Sequence, residues 1–265
     1  MKISRTFFLR LILFLLSAAA VIFAGIQLWR VYSGYATGRA SYEALSQRYT
    51  HPVAEASQSP SGPNKPQQTV PVSVDFDALQ AQCPDVVAWL FFPDTPINYP
   101  VVQSSDNSYY LRRLLDASWN SSGTLFMDYR NQPDFSDWNT VIYGHNMNDG
   151  SMFAVLPSFR EQDFADEHSV MYLLTPEGTW QVEWIAGCTL PADAALYALP
   201  PDREQRDQLL QTLREDSCFR SDTEVTEDDH LLTLSTCVYD YQDARFVLVG
   251  VLRTPDYLKE GPEHE

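Results

Sequence analysis

The stretch Leu231-Leu232-Thr233-Leu234-Ser235-Thr236-Cys237 decides how the folded part of this chain is read. It is apolar and rich in residues that favour extended backbone, so it reads as a strand with a thiol at its end. Eight positions further on, Arg245 opens a second apolar run, Phe246 to Leu252. Upstream, Val141-Ile142-Tyr143-Gly144-His145-Asn146-Met147 carries a third strand candidate into a histidine. A thiol, an imidazole and a guanidinium are the parts that nucleophilic attack on an amide needs: a nucleophile, a proton carrier and a fixed positive charge for an oxyanion.

Working outward, further strand candidates lie at Val86–Phe92, Ile97–Val102, Gly123–Met127, Thr140–Tyr143, Val170–Leu174 and Trp180–Leu190. Short strands separated by turns, with few helices, suggest a β-barrel or a sandwich. Asp77 to Cys83 reads as a short helix stopped by Pro84, and Asn107 to Leu115 places Tyr110, Leu111, Leu114 and Leu115 at helical spacing. The best helix outside the N-terminal region runs from Pro201 to Arg214. Asp202 can cap it, with Gln205 three residues on, and Leu209, Leu210 and Leu213 form one apolar face. It precedes the cysteine strand, either as a wall beside the nucleophile or as a simple packing helix.

The N-terminal region has a different character. Lys2, Arg5 and Arg10 precede eighteen mostly apolar residues, Leu11 to Leu28, followed by Trp29, Tyr32 and Tyr35. That length just crosses a hydrocarbon core of ~30 Å as a helix, and the aromatic residues suit an interface. Apolar residues continue past the small residues Ser17 to Ala20, which favours a retained anchor over a cleaved signal peptide. Ser41 to Arg48 extends the helical pattern. From His51 to Val74 the chain is rich in Pro, Ser and Gln and reads as a spacer. The expected organisation is a cytoplasmic N-terminus (1–10), a transmembrane anchor (11–29), an extracytoplasmic stalk (30–74), a catalytic domain (75–254) and a C-terminal tail (255–265).

The 265-residue chain carries a formal net charge of −17. Through Val70 seven basic residues face two acidic ones, so the remainder carries −22. An acidic body argues against phosphate binding and therefore against nucleic-acid work. Four cysteines (83, 188, 218 and 237) show no CxxC spacing, which disfavours a zinc site. Three read as buried thiols, with a Cys188–Cys218 bridge left open. The acidic residues from Asp222 to Asp229 match no EF-hand spacing, so no metal or other cofactor is expected.

Three blocks, Tyr143-Gly144-His145-Asn146-Met147, Thr233-Leu234-Ser235-Thr236-Cys237 and Asp243-Ala244-Arg245-Phe246-Val247, resemble the active-site blocks of the sortases, cysteine transpeptidases anchored in Gram-positive membranes. Asp85–Leu90, Ile97–Gln103, Asp106–Leu111 and Ser121–Asn131 are similar to class B, as is the helical insertion before the cysteine strand. The resemblance implies a closed β-barrel of about eight strands with N-terminal helices. It also implies catalytic roles for His145, Cys237 and Arg245. The implied substrates are surface proteins with a C-terminal sorting signal, and the implied acceptors are amines of a peptidoglycan precursor or a pilin.

Chemistry supports that division of labour. A free cysteine, with a pKa of ~8.5, is only partly thiolate at neutral pH, and a nearby cation lowers that value. Arg245 stays charged at any accessible pH, while His145 can protonate a leaving amine. Each residue alone is weak evidence, since a cysteine closing a strand is usually a small buried hydrophobe. Ser235 shares a strand face with Cys237 and is a candidate substrate contact. Asp243 is a weaker candidate for orienting His145 or Arg245. The rival readings are a cell-wall cysteine peptidase or amidase that only hydrolyses, and a non-catalytic tethered adhesin or sensor.

Overall fold

A computed structural model describes residues 5–53, 70–198 and 202–254. Helix α1 spans Arg5–Tyr49 without interruption. A short ribbon follows, in which β1 (Thr50–Pro52) pairs antiparallel with β2 (Val72–Val74). Helix α2, Phe76–Gln82, starts at Asp75, whose carboxylate accepts from the Ala78 amide at 3.0 Å. This satisfies one of the amides that a helix start leaves unpaired.

Eight strands then form a closed barrel: β3 (Val86–Phe91), β4 (Asn98–Val102), β5 (Leu125–Met127), β6 (Asn139–Tyr143), β7 (Val170–Thr175), β8 (Gly178–Pro191), β9 (Leu231–Cys237) and β10 (Ala244–Arg253). Their order around the barrel is β10-β8-β7-β3-β4-β5-β6-β9. Closure leaves no exposed sheet edge, and the interior is filled by side chains such as Leu90, Ile142 and Leu234.

Two seams are parallel, β4 with β5 and β6 with β9. Parallel neighbours need long crossovers, and both crossovers matter here. In the second seam Tyr143 pairs with Ser235. Two positions on from each partner, the chain leaves the sheet at the same rim with His145 and Cys237. β10 runs antiparallel to β9 and places Arg245 opposite Cys237. The fold therefore brings the three blocks to one end of the barrel.

The stalk expected over 30–74 takes another form. Residues 30–49 belong to α1, and a stripe of Gly38, Tyr42, Leu45 and Tyr49 packs its C-terminal third onto the barrel. The spacing of four, three and four residues is that of one helix face. Tyr42 donates to the Gly123 carbonyl, Tyr49 to Gln82 at 2.6 Å, and Asn98 to the Ser46 hydroxyl at 2.8 Å. The core of the Pro/Ser/Gln stretch (54–69) lies outside the described residues, but its flanks pair: His51 lies opposite Ser73. The described chain therefore leaves and rejoins the body at one place. The expected tail, 255–265, also lies outside the described residues.

The expected helix over Asn107 to Leu115 is only a single 3-10 turn, Tyr110–Arg112. The Asp106 carboxylate takes the Ser108 and Tyr109 amides at 2.6 and 2.8 Å, a local alternative to helical bonding. Arg113 then bridges back to Trp119.

Candidate active site

A cleft of about 580 Å³ opens on the barrel rim, and His145, Cys237 and Arg245 all line it. Cys237 is half-buried at the end of β9, so its sulfur is not sealed in the core. Its strand is tied to the histidine loop twice. Asn146 donates to the Cys237 carbonyl at 3.0 Å, and Thr236 donates to the Gly144 carbonyl at 2.8 Å. Gly144 is required by space: a Cβ there would come within 2.5 Å of Leu125 and 2.6 Å of Phe153.

The His145 ring is oriented by the first crossover. Its Nε2 lies 2.8 Å from the Leu111 carbonyl. A carbonyl only accepts, so Nε2 carries the hydrogen and Nδ1 is left to exchange a proton. Burial holds the His145 pKa below its ordinary 6.5, and the Arg112 charge adds to this, whereas the Leu111 bond opposes it. The imidazole is therefore mainly neutral at pH 7.

Arg245 donates from Nη1 to the Ala244 carbonyl at 3.1 Å, a bond that leaves most of its donors uncommitted. Ser235 also lines the cleft, but its hydroxyl is already engaged, 2.8 Å from the Tyr197 hydroxyl. Asp243 occupies a left-handed turn position (φ 60°), and among the described residues it bonds neither His145 nor Arg245.

The wall beside Cys237 is built by residues 192–198, which follow β8, rather than by the helix after them. That helix, α4 (Arg203–Glu215), is capped by Asp202 through the Gln205 amide at 2.9 Å. It packs Leu213 on the outer face of β8 and β10, beside Cys188 and Val249. The expected start at Pro201 falls outside the described residues. Helix α3 (Gln162–Glu167) lies away from the cleft.

Sequence reasoning missed what holds this wall. Asp128 is almost fully buried after β5 and accepts from Arg130 Nε and Nη2 at 2.8 and 2.7 Å, from Tyr143 at 2.9 Å and from Asn107 at 3.1 Å. Burial alone would raise its pKa, yet these bonds bring it down to about 2. Arg130 also donates to the Tyr197 carbonyl at 3.0 Å, while the Tyr197 ring stacks on Tyr143 with centroids 6.1 Å apart. A carboxylate followed two residues later by arginine, just after a strand, was the only signal available.

All four cysteines are free. Cys188 and Cys218 donate to the Leu213 and Phe159 carbonyls at 3.3 and 3.4 Å instead of forming the bridge left open above.

An eight-stranded barrel carrying cysteine, histidine and arginine on one rim defines a class of cysteine transpeptidases. The chain belongs to that family, the sortases: the Sortase domain model matches residues 90–253. Sortase B of Listeria monocytogenes is 37% identical over 179 residues, covering 66% of this chain and 73% of that protein. A B. anthracis sortase B solved with AAEK1 superimposes with a TM-score of 0.70 at 30% identity, over 84% of this chain and 99% of the other. A Staphylococcus aureus sortase B–substrate complex gives 0.64 at 29% identity, over 68% and 84%. The protein is a class B-like sortase, and its enzymatic class is cysteine transpeptidase for cell-wall sorting.

Proposed function

We propose that Cys237 attacks the carbonyl of the Thr in a C-terminal sorting motif, between Thr and Gly or Asn, and forms a thioacyl intermediate. Arg245, opposite Cys237 on β10, donates to the oxyanion that develops on that carbonyl. His145 takes the thiol proton on Nδ1 and passes it to the leaving amine, so the C–N bond breaks as the C–S bond forms. An amine of peptidoglycan or of a pilin then attacks the thioester, its proton returns to His145, and the thiol is regenerated. Ser235 and Tyr197 form a polar floor against which the motif lies.

We further infer that α1 is a single-pass membrane anchor with the N-terminus cytoplasmic and the barrel outside the cell. Supporting this, the helix carries a fully exposed apolar window near its start, which is unfavourable in water but suits lipid. The observation that carries the catalytic reading is the convergence of a half-buried thiol, a neutral imidazole and a guanidinium in one open cleft. Mass spectrometry of a sorting peptide incubated with the protein and an amine donor tests it. Ligation to the amine is the expected product. Hydrolysis alone would indicate a peptidase, and an unmodified peptide would indicate a non-catalytic tethered protein.

A further inference from the structure

The contacts along α1 show which end of the barrel faces the lipid. Counting from Leu28, the last residue of the apolar run, Asn120 donates to the Gly34 carbonyl at 3.0 Å. Gly38 then lies so close to Asn120 and Ser122 that a Cβ would meet both at 3.0 Å. Arg39 donates to the Asp149 carbonyl at 2.9 Å, in the loop that follows His145. Tyr42 bonds Gly123 and Thr124. Only after these come Ser46 with Asn98 and Tyr49 with Gln82. The catalytic rim, with its loops 119–124 and 145–151, therefore touches the half of the docked helix nearer the membrane. Asn98, at the start of β4 and so at the same end of the barrel, follows, and α2, through Gln82, touches the last turn.

Trp119 immediately precedes Asn120, whose side chain bonds the Gly34 carbonyl, and so lies beside the membrane-proximal end of the docked helix. Trp119 is 71% exposed. It bridges to Arg113, whose guanidinium lies 4.5 Å over the half-exposed Tyr109 ring. The neighbouring Asp116 accepts from the Ser118 amide at 2.9 Å, within the turn itself. At 1.5 Å per residue, Gly34 stands about 9 Å beyond Leu28. The headgroup layer on each side of a bilayer is ~5–8 Å deep. An indole at that level reaches the headgroups, where amphipathic rings and arginines are stable.

We propose that the loop carrying Trp119, with Arg113 and Tyr109 behind it, seats the catalytic rim on the outer leaflet, so that the cleft works against the membrane surface. This rests on the reading of α1 as an anchor. It adds that the enzyme does not stand off on a stalk: the 3-10 turn that supplies Leu111 to His145 belongs to the segment resting on lipid.

The test uses the full chain in liposomes made with acyl-brominated phosphatidylcholine. The emission of Trp119 is isolated as the difference between the wild type and Trp119→Phe, and that of Trp29 likewise with Trp29→Phe. The Trp119 component is expected to be lost to bromine quenching and shielded from aqueous acrylamide. Trp119→Phe should keep its activity on a soluble peptide, which verifies its fold. Flotation with the liposomes but a Trp119 component quenched only by acrylamide overturns the seating and spares the anchor. Shielding from acrylamide without bromine quenching, as contact with a second copy would give, also overturns it. Failure to float overturns both.

Discussion

Two thiols in the same sheet show what the barrel rim does. Cys188 lies in the middle of β8, between the sheet and α4, with its sulfur bonded to the Leu213 carbonyl. Burial, reinforced by nearby Cys218 and Asp216, pushes its pKa up to about 12. A thiol that cannot ionise near neutrality is a poor nucleophile. Cys237 sits two strands away, at the last residue of β9, where the sheet opens into the cleft and Arg245 lies opposite. Residue type is the same; position along the strand differs. In the proposed mechanism, reactivity belongs to the rim.

The largest expected effect separates the two sulfurs. Cys237→Ala should lower amine ligation by more than about 10³-fold, as loss of a covalent nucleophile does, with an unchanged urea midpoint. Cys188→Ala should leave ligation intact and reduce stability by about 1 kcal/mol, through a small cavity under α4. Equal losses of turnover in both variants would erase the contrast.

Next is the charge facing the nucleophile. Arg245→Ala removes the proposed oxyanion donor and should lower kcat by roughly 10²–10³. Arg245→Lys should recover only part of this, since a lysine keeps the charge but not the planar fork of donors. Single-turnover kinetics with a thioester-trapping amine distinguish slow acylation from slow transfer. The effect is expected in acylation.

The wall of the cleft gives a third, smaller contrast. Asp128→Asn breaks the pairing with Arg130 and weakens its hold on the Tyr197 carbonyl. A cost of about 2 kcal/mol is expected from unpairing a buried charge-assisted network. The acid dependence has a defined sign. Asp128 is held at about 2 in the folded protein against 3.8 ordinarily, so the unfolded chain takes up the proton first as pH falls. Its contribution is complete above 3.8 and lost on descending through 2. Denaturant melts over that window should show wild type and Asp128→Asn converging in stability as the pH drops.

These contrasts also mark what could be read from the chain. The strands were legible because buried, β-branched runs such as 231–236 and 246–252 are set by local pattern. The site was legible because each block ends or begins such a run, and sequence order carried the resemblance. The course of residues 30–49 was not. Gly34 and Gly38 serve close approach by loop 120–122, a long-range fact that local pattern does not carry. Likewise the 3-10 turn at 110–112 exists because Asp106 and Trp119 compete for the backbone that a helix would use. The Asp128–Arg130–Tyr197 clamp joins residues 67 positions apart, and no spacing rule announces it.

The smallest effect concerns the 3-10 turn at 110–112 and the imidazole it orients. Burial is the main reason that the His145 pKa lies below 6.5, and Arg112, in the same 3-10 turn as Leu111, adds a repulsive charge. Arg112→Ala removes that repulsion while keeping the Leu111 carbonyl bond, which is made by backbone. The His145 pKa should rise, so the neutral imidazole proposed to accept the thiol proton persists over a narrower range of pH. The acid limb of kcat/KM is then expected to move to higher pH, with the plateau unchanged. Because Arg112 is exposed, the difference between variant and wild type should shrink as salt screens the charge. A proton NMR titration of the ring gives the same shift without reference to turnover. An acid limb that stays in place, or moves to lower pH, would mean that the turn positions the histidine by shape alone and exerts no electrostatic control over it.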